Sequence, residues 1–63
     1  MWLLCEGGNI LINVNKVYDF YVYNGDVYAN AEDNSYLYRK CESDEEAKEE
    51  LLELFAMLNK KCS

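Results

Sequence analysis

The chain has 63 residues, 51% of them hydrophobic, and carries a net charge of −6 at pH 7. This length favours a single domain over residues 1–63, near the lower limit for folding without a disulfide, a metal or a partner. The hydrophobic content argues against disorder. Six basic residues against twelve acidic ones argue against direct nucleic-acid binding, which depends on Lys and Arg contacts to phosphates.

The composition also restricts catalysis. There is no histidine, which excludes His-based acid–base catalysis, His-activated nucleophiles and most zinc sites. Cys41 is the one candidate nucleophile, because it follows two basic residues and precedes a predicted helix, but no base is present to assist it. With Cys5 and Cys62 it makes an odd count without C-x-x-C spacing, which predicts free thiols. We therefore predict a protein that is not an enzyme and has no cofactor or metal site.

The N-terminal segment predicts a β-hairpin around Gly7-Gly8, a favoured two-residue turn. One predicted face of this hairpin carries Leu3, Cys5, Ile10, Ile12 and Val14. The opposite face carries Trp2, Leu4, Leu11 and Asn13. The first apolar run ends at Glu6, too early for a signal peptide or a membrane span, so we expect a cytoplasmic protein that does not bind membranes.

After a turn-like segment at residues 13–16, Asn24-Gly25 predicts a second hairpin, because a type I′ turn needs positive φ at both central residues. Side chains alternate between the two faces of a strand. The predicted core face carries Tyr18, Phe20, Val22, Val27, Ala29 and Ala31. The opposite face carries Asp19, Tyr21, Tyr23, Asp26, Tyr28 and Asn30.

A last strand is predicted over residues 36–40, with its register open. A turn at Asp33-Asn34 would face Tyr36 and Tyr38 to the core and Leu37 outward, and a bulge would reverse this. An amphipathic helix follows over about residues 44–61, with Ser43 as N-cap in a capping box. Its apolar stripe contains Ala47, Leu51, Leu54, Phe55, Leu58 and Cys62.

Together these elements predict an α+β fold of two layers. We expect one antiparallel sheet of four or five short strands, with the C-terminal helix packed on one face. The other face would then present a contiguous exposed surface of large side chains: Trp2, Leu4, Leu11, Tyr21, Tyr23 and Tyr28. Ordinary strand propensity could place these residues there. Their number, and the enrichment of Tyr and Trp at interfaces, favour a binding surface for a protein partner or a second copy.

The helix supplies a second candidate surface. Half of the twelve acidic residues lie between residues 44 and 53, and Glu45, Glu49 and Glu53 point away from the apolar stripe. One interpretation is a solvated helix face that complements the helix dipole. The other is a docking surface for a basic partner, including mimicry of a phosphate backbone, because helical spacing sets such carboxylates about 5–6 Å apart at Cβ.

The layout of two hairpins, followed by the sequence SDEEA at residues 43–47 and an acidic helix, resembles small proteins encoded by Gram-positive bacteria and their prophages. Many proteins of that kind bind and inhibit a larger host protein, and anti-CRISPR proteins are among them. The resemblance covers most of the chain and implies an inhibitor, without assigning a role to any residue.

The leading hypothesis is a non-enzymatic interaction module that binds, and thereby inhibits or modulates, a larger intracellular protein. The first alternative is an acidic inhibitor that occupies a nucleic-acid-binding groove, as some anti-CRISPR proteins do. The second is an obligate small homo-oligomer without separate activity, assembled through the exposed sheet face.

Overall fold

The computed structural model describes the backbone of residues 1–62 and the side chains of residues 1–59. In chain order the elements are β1 (Trp2–Leu4), β2 (Leu11–Asn13), a 3₁₀ turn (Val14–Lys16), β3 (Val17–Tyr23), β4 (Asp26–Ala31), β5 (Ser35–Arg39) and α1 (Asp44–Cys62). The strands form two antiparallel sheets, one of β1 and β2 and one in the order β3-β4-β5. The predicted α+β class is confirmed, but the single sheet of four or five strands is split into two.

The 3₁₀ turn explains the split. Asn13 caps it, and the Asn13 side-chain oxygen accepts a hydrogen bond from the backbone N–H of Asn15 at 3.1 Å. The tight turn redirects the chain between β2 and β3, so these strands do not pair with each other. A turn was expected at this point, but its effect on strand pairing was not.

The Asn24-Gly25 turn fixes the register of β3 against β4 as predicted. Asn24 and Gly25 have φ of 53° and 83°, as a type I′ turn requires. Tyr23 is opposite Asp26, and the predicted register holds as far as Asp19, which is opposite Asn30.

Beyond Asp19 a β-bulge at Tyr18 changes the pairing. Val17 lies opposite Ala31, so Tyr18 is the extra residue on β3. Val17 packs on the core, while Tyr18 is 70% exposed. The prediction that Tyr18 faces the core is therefore wrong, because one inserted residue exchanges the two faces of a strand.

The N-terminal hairpin pairs Leu3 with Ile12 as predicted. Its loop is longer than the expected Gly7-Gly8 turn. The Cys5 backbone N–H donates to the Ile10 carbonyl at 2.8 Å, and residues 6–9 form the loop between them. Leu3, Cys5 and Ile12 are buried. Ile10 precedes the paired part of β2 and is 45% exposed, so its predicted place on the buried face is wrong.

Strand β5 faces Tyr36 and Tyr38 to the core, which resolves its register. The turn lies at residues 32–33, where Ala31 N–H donates to the Asn34 carbonyl at 2.9 Å. The observed turn lies one residue before the predicted Asp33-Asn34 turn. Tyr36 and Tyr38 still face the core, as that prediction required. A bulge at Tyr38 shifts the pairing near the end of the strand, and Tyr38 is 7% exposed.

Helix α1 begins with the predicted cap. The Ser43 hydroxyl accepts a hydrogen bond from Glu46 N–H at 3.2 Å, while the Glu46 carboxylate accepts one from Glu42 N–H at 3.1 Å. The second arm of the capping box thus reaches one residue earlier than expected.

The apolar stripe of α1 is only partly buried. Ala47 and Leu54 are buried, and Leu51 and Leu58 pack against the core. Phe55 is 64% exposed, so its predicted burial is wrong. The helix rests on β3 and β4, and Phe55 lines an open groove together with Phe20 of β3. Cys62 lies outside the described side chains.

One core joins all the elements, and it lies on one face of the three-stranded sheet. The helix and the N-terminal hairpin both contribute to it. Its buried residues are Leu3, Cys5, Ile12, Val27, Ala29, Tyr38, Ala47 and Leu54. Hydrogen bonds connect the hairpin to the end of β5, from an Arg39 guanidinium nitrogen to the Leu4 carbonyl at 3.0 Å and from Lys40 N–H to the Glu6 carboxylate at 2.9 Å. The opposite face of the three-stranded sheet is left uncovered by the described residues.

Candidate interaction surface

Three tyrosines on the uncovered sheet face pack against one another. Tyr21 lies opposite Tyr28, and their rings stack with centroids 5.6 Å apart and planes inclined by 15°. Tyr23 meets the Tyr28 ring edge-to-face at 6.2 Å. Tyr28 is thus half-buried beneath its neighbours, while Tyr21 is 38% and Tyr23 65% exposed. We call Tyr21, Tyr23 and Tyr28 the tyrosine face.

The other three residues predicted for this surface lie elsewhere. Trp2, Leu4 and Leu11 are 63%, 50% and 60% exposed on the outer face of the N-terminal hairpin. The inner face of that hairpin packs into the same core as the core side of the three-stranded sheet. Trp2, Leu4 and Leu11 therefore lie on the opposite side of the core from the tyrosine face. The six residues form two separate surfaces because the hairpin packs over the sheet instead of extending it.

The acidic side of α1 is exposed, as the sequence indicates for Glu45, Glu49 and Glu53. Glu50 lies nearer the sheet, with its carboxylate 3.8 Å from the Arg39 guanidinium. The pKa of Glu50 is raised, first by its hydrogen bond with the Glu53 carboxyl and then by partial burial, against the opposing charge of Arg39. A raised pKa means that the folded protein binds the carboxyl proton of Glu50 more tightly than the unfolded chain does. Protonated Glu50 therefore stabilises the fold at pH values below its pKa in the unfolded chain. This stabilisation is lost as the pH rises through the pKa of Glu50 in the folded protein.

We predict that Glu53→Gln lowers the pKa of Glu50. The glutamine amide donates a hydrogen bond to the carboxylate and removes the neighbouring charge, and both changes favour the ionised form of Glu50. An NMR titration that follows the side-chain carboxyl carbon of Glu50 measures the shift. Glu45→Gln is the matched control, because it removes the same charge five residues from Glu50 and on a different side of the helix. An equal effect of the two substitutions would contradict the contact between Glu50 and Glu53.

The surroundings of the thiols oppose thiolate formation. The pKa of Cys41 is raised by desolvation and by negative charges, the largest of them from Glu50 and Glu46. Burial raises the pKa of Cys5, although the charge of Arg39 opposes this shift. A cysteine nucleophile requires the opposite environment. The one nucleophile candidate in the sequence therefore lacks the electrostatic support that it would need.

An apolar groove beside β3 was not anticipated. It has a volume of about 380 Å³ and is lined by Phe20, Leu51, Leu52, Leu54, Phe55 and Leu58. Leu52 and Phe55 are each about two-thirds exposed, at 67% and 64%. The sequence did carry a signal, since Leu52 is a large apolar residue outside the predicted stripe. We call Leu51, Leu52, Phe55 and Leu58 the helix flank.

Comparisons with protein-family models, with curated proteins and with solved structures return no match to this chain. Among the described residues, no three His, Cys, Asp or Glu side chains come together as metal ligands would. No helix in the described part of the chain has the length and apolar character needed to cross a membrane. The described residues offer three apolar surfaces to a partner, namely the tyrosine face, the outer face of the N-terminal hairpin and the helix flank, together with the acidic side of α1.

Proposed function

We propose that the protein acts by binding another protein through the tyrosine face. The observation that supports this is the packed cluster of three tyrosines on a sheet face that no described residue covers. Tyrosines held by their neighbours offer a large contact area at little cost in side-chain entropy, and such residues dominate hot spots. In keeping with the resemblance noted above, we propose that binding inhibits or modulates a larger intracellular protein.

In this proposal the acidic helix acts on the association rate. It covers the sheet face opposite to the tyrosine face, and the shortest dimension of the Cα trace is 19 Å. The helix carboxylates are thus separated from the tyrosine face by the thickness of the domain. At physiological ionic strength the Debye length is about 8 Å, so their field is largely screened over that distance. Glu45, Glu49 and Glu53 would therefore steer a basic partner mainly at low salt, and the tyrosines would supply the contact energy.

A second candidate function is occupation of a nucleic-acid-binding groove. It is favoured by the exposure of Glu45, Glu49 and Glu53, which follow one another at helical i, i+4 spacing. In this case the helix, and not the sheet, would contact the partner. Affinity would fall steeply with added salt, and DNA or RNA would compete for the partner.

Alanine substitutions on β3 test the proposed function. A partner is first captured from cells with the full chain, and its affinity is then measured by surface plasmon resonance. Tyr23→Ala and Tyr21→Ala should weaken binding about 30-fold or more, mainly through the dissociation rate, as expected for hot-spot residues. Tyr18→Ala is the matched control, because Tyr18 lies on the same strand, is 70% exposed and is outside the cluster.

Two results would contradict the proposed binding surface. One is an equal loss of affinity for Tyr18→Ala and Tyr23→Ala. The other is unchanged binding in both tyrosine-face variants together with loss of binding in a Glu45→Gln, Glu49→Gln, Glu53→Gln triple variant. If nucleic acid then displaced the protein from its partner, the second candidate function would replace the first.

A further inference from the structure

The two edges of the three-stranded sheet differ. The edge at β5 lies near the N-terminal hairpin, to which Arg39 and Lys40 are hydrogen-bonded. The edge at β3 has no neighbouring strand among the described residues. Because the Asn24-Gly25 turn makes Tyr23 and Asp26 a hydrogen-bonded pair, the backbone groups of Phe20 and Val22 point outward along this edge. A row of unpaired strand groups of this kind is a template for pairing with another strand.

The helix flank continues this free edge on the core side of the sheet. Phe20 of β3 lines the same groove as Leu51, Phe55 and Leu58. An added strand would therefore find backbone partners on β3 and apolar side chains beside it. Of the devices that usually protect such an edge, β3 has the bulge at Tyr18 and one charged side chain, Asp19, and its seven residues include no proline and no lysine.

The C-terminal half of α1 has few charged residues beside the helix flank. Between residues 51 and 59 the only charged residue is Glu53. Glu53 lies on the other side of the helix, near Tyr38 and Arg39 of β5. Two copies of the chain can therefore bring the apolar residues between positions 51 and 59 together without placing their Glu53 carboxylates in contact, although each copy has a net charge of −6.

We propose that two copies of the chain pair through antiparallel β3 strands, forming one six-stranded sheet with the two helix flanks in contact. The helix packs on both β3 and β4, so its axis lies about 2–3 Å inside β3 for strands about 4.8 Å apart. A twofold axis at the β3 edge would then place the two helix axes about 9–10 Å apart, which is within the usual range for packed helices.

The area available suits a weak dimer. Phe55 and Leu52 are about two-thirds exposed, and with the half-buried groove residues they present on the order of 300–400 Å² of apolar surface per copy. Two copies and their paired backbones would bury about 1,000 Å² in total, the lower range for specific interfaces. The dimer would leave both tyrosine faces on the open side of the joined sheet, so this inference is independent of the proposed function.

Sedimentation equilibrium tests the pairing, with the chain at about 1 µM to about 500 µM. The wild-type chain should dimerise, and Phe55→Lys should raise the dissociation constant about 30-fold or more by placing a charge in the flank contact. Leu4→Lys is the matched control, because Leu4 is 50% exposed on the hairpin beside the β5 edge, and it should leave the dimer unchanged. A wild-type chain that stays monomeric throughout, or a dimer lost in Leu4→Lys and retained in Phe55→Lys, would overturn the proposal.

Hydrogen exchange on the wild-type chain gives a second test that needs no substitution. In the dimer, the amide protons of Phe20 and Val22 are hydrogen-bonded to the second copy, so their exchange should slow as concentration rises. The Tyr21 amide is bonded within its own hairpin and serves as the internal reference. A dimer in which the Phe20 and Val22 amides exchange at the same rate as in the monomer would exclude pairing through β3.

Discussion

Leu54→Ala should lower the free energy of unfolding by about 2–5 kcal/mol, whereas Phe55→Ala should lower it by less than about 1 kcal/mol. Leu54 is 4% exposed and packs in the shared core, so its truncation leaves a cavity beneath the sheet. Phe55 is the next residue, but it is 64% exposed and loses little buried area on truncation. Urea denaturation of the two variants and the wild-type chain measures both values.

Leu54 and Phe55 lie in the same turn of α1 and differ greatly in burial, so the two variants test which side of the helix faces the core. If Phe55→Ala were as destabilising as Leu54→Ala, the helix would be rotated toward β3 relative to the packing described above. Leu54→Ala alone can unfold most of the population, since small domains have only a few kcal/mol of net stability.

Tyr38→Ala should cost about 3–5 kcal/mol, as large aromatic truncations in a core usually do. Tyr38 is 7% exposed, meets the Phe20 ring edge-to-face at 5.8 Å, and lies under the Arg39 guanidinium at 4.3 Å from its centroid. The truncation removes both ring contacts and leaves a cavity in the core. Thermal and urea unfolding followed by circular dichroism would measure the effect.

Tyr38→Phe is the matched control. It keeps the ring, and with it the contacts to Phe20 and Arg39, and removes only the hydroxyl. We expect it to change the free energy of unfolding by less than about 1 kcal/mol. A severe effect of Tyr38→Phe would show that the hydroxyl, and not the packing of the ring, is what the core requires.

Local signals in the sequence predicted the parts of the fold that local chemistry determines. Asn24-Gly25 sets the β3–β4 register because few other dipeptides accept two positive φ values, and Ser43 starts the helix because its hydroxyl satisfies a free backbone N–H. The bulge at Tyr18 has no comparable local signal. It depends on which of Val17 and Tyr18 fits the core better, and that choice is made by tertiary packing.

The sequence predicted one half of the candidate surface correctly and misplaced the other half. The neighbouring positions of Tyr21, Tyr23 and Tyr28 follow from register alone, and the structure brings these residues together. The position of Trp2, Leu4 and Leu11 depends on which way the chain turns at residues 14–16. The direction of this turn decides whether the first hairpin extends the three-stranded sheet or packs over it. The alternation of apolar and polar residues in β1 and β2 is the same in both arrangements, so the sequence pattern does not distinguish them.

The attachment of the N-terminal hairpin has a consequence for native-state fluctuations. In the described chain the hairpin shares no strand pairing with the three-stranded sheet, and side-chain packing and a few hydrogen bonds hold it in place. Units of this kind open at a lower free energy than the whole domain. Such an opening would expose Cys5, which is 3% accessible when the hairpin is closed, so this thiol would report opening of the N-terminal hairpin.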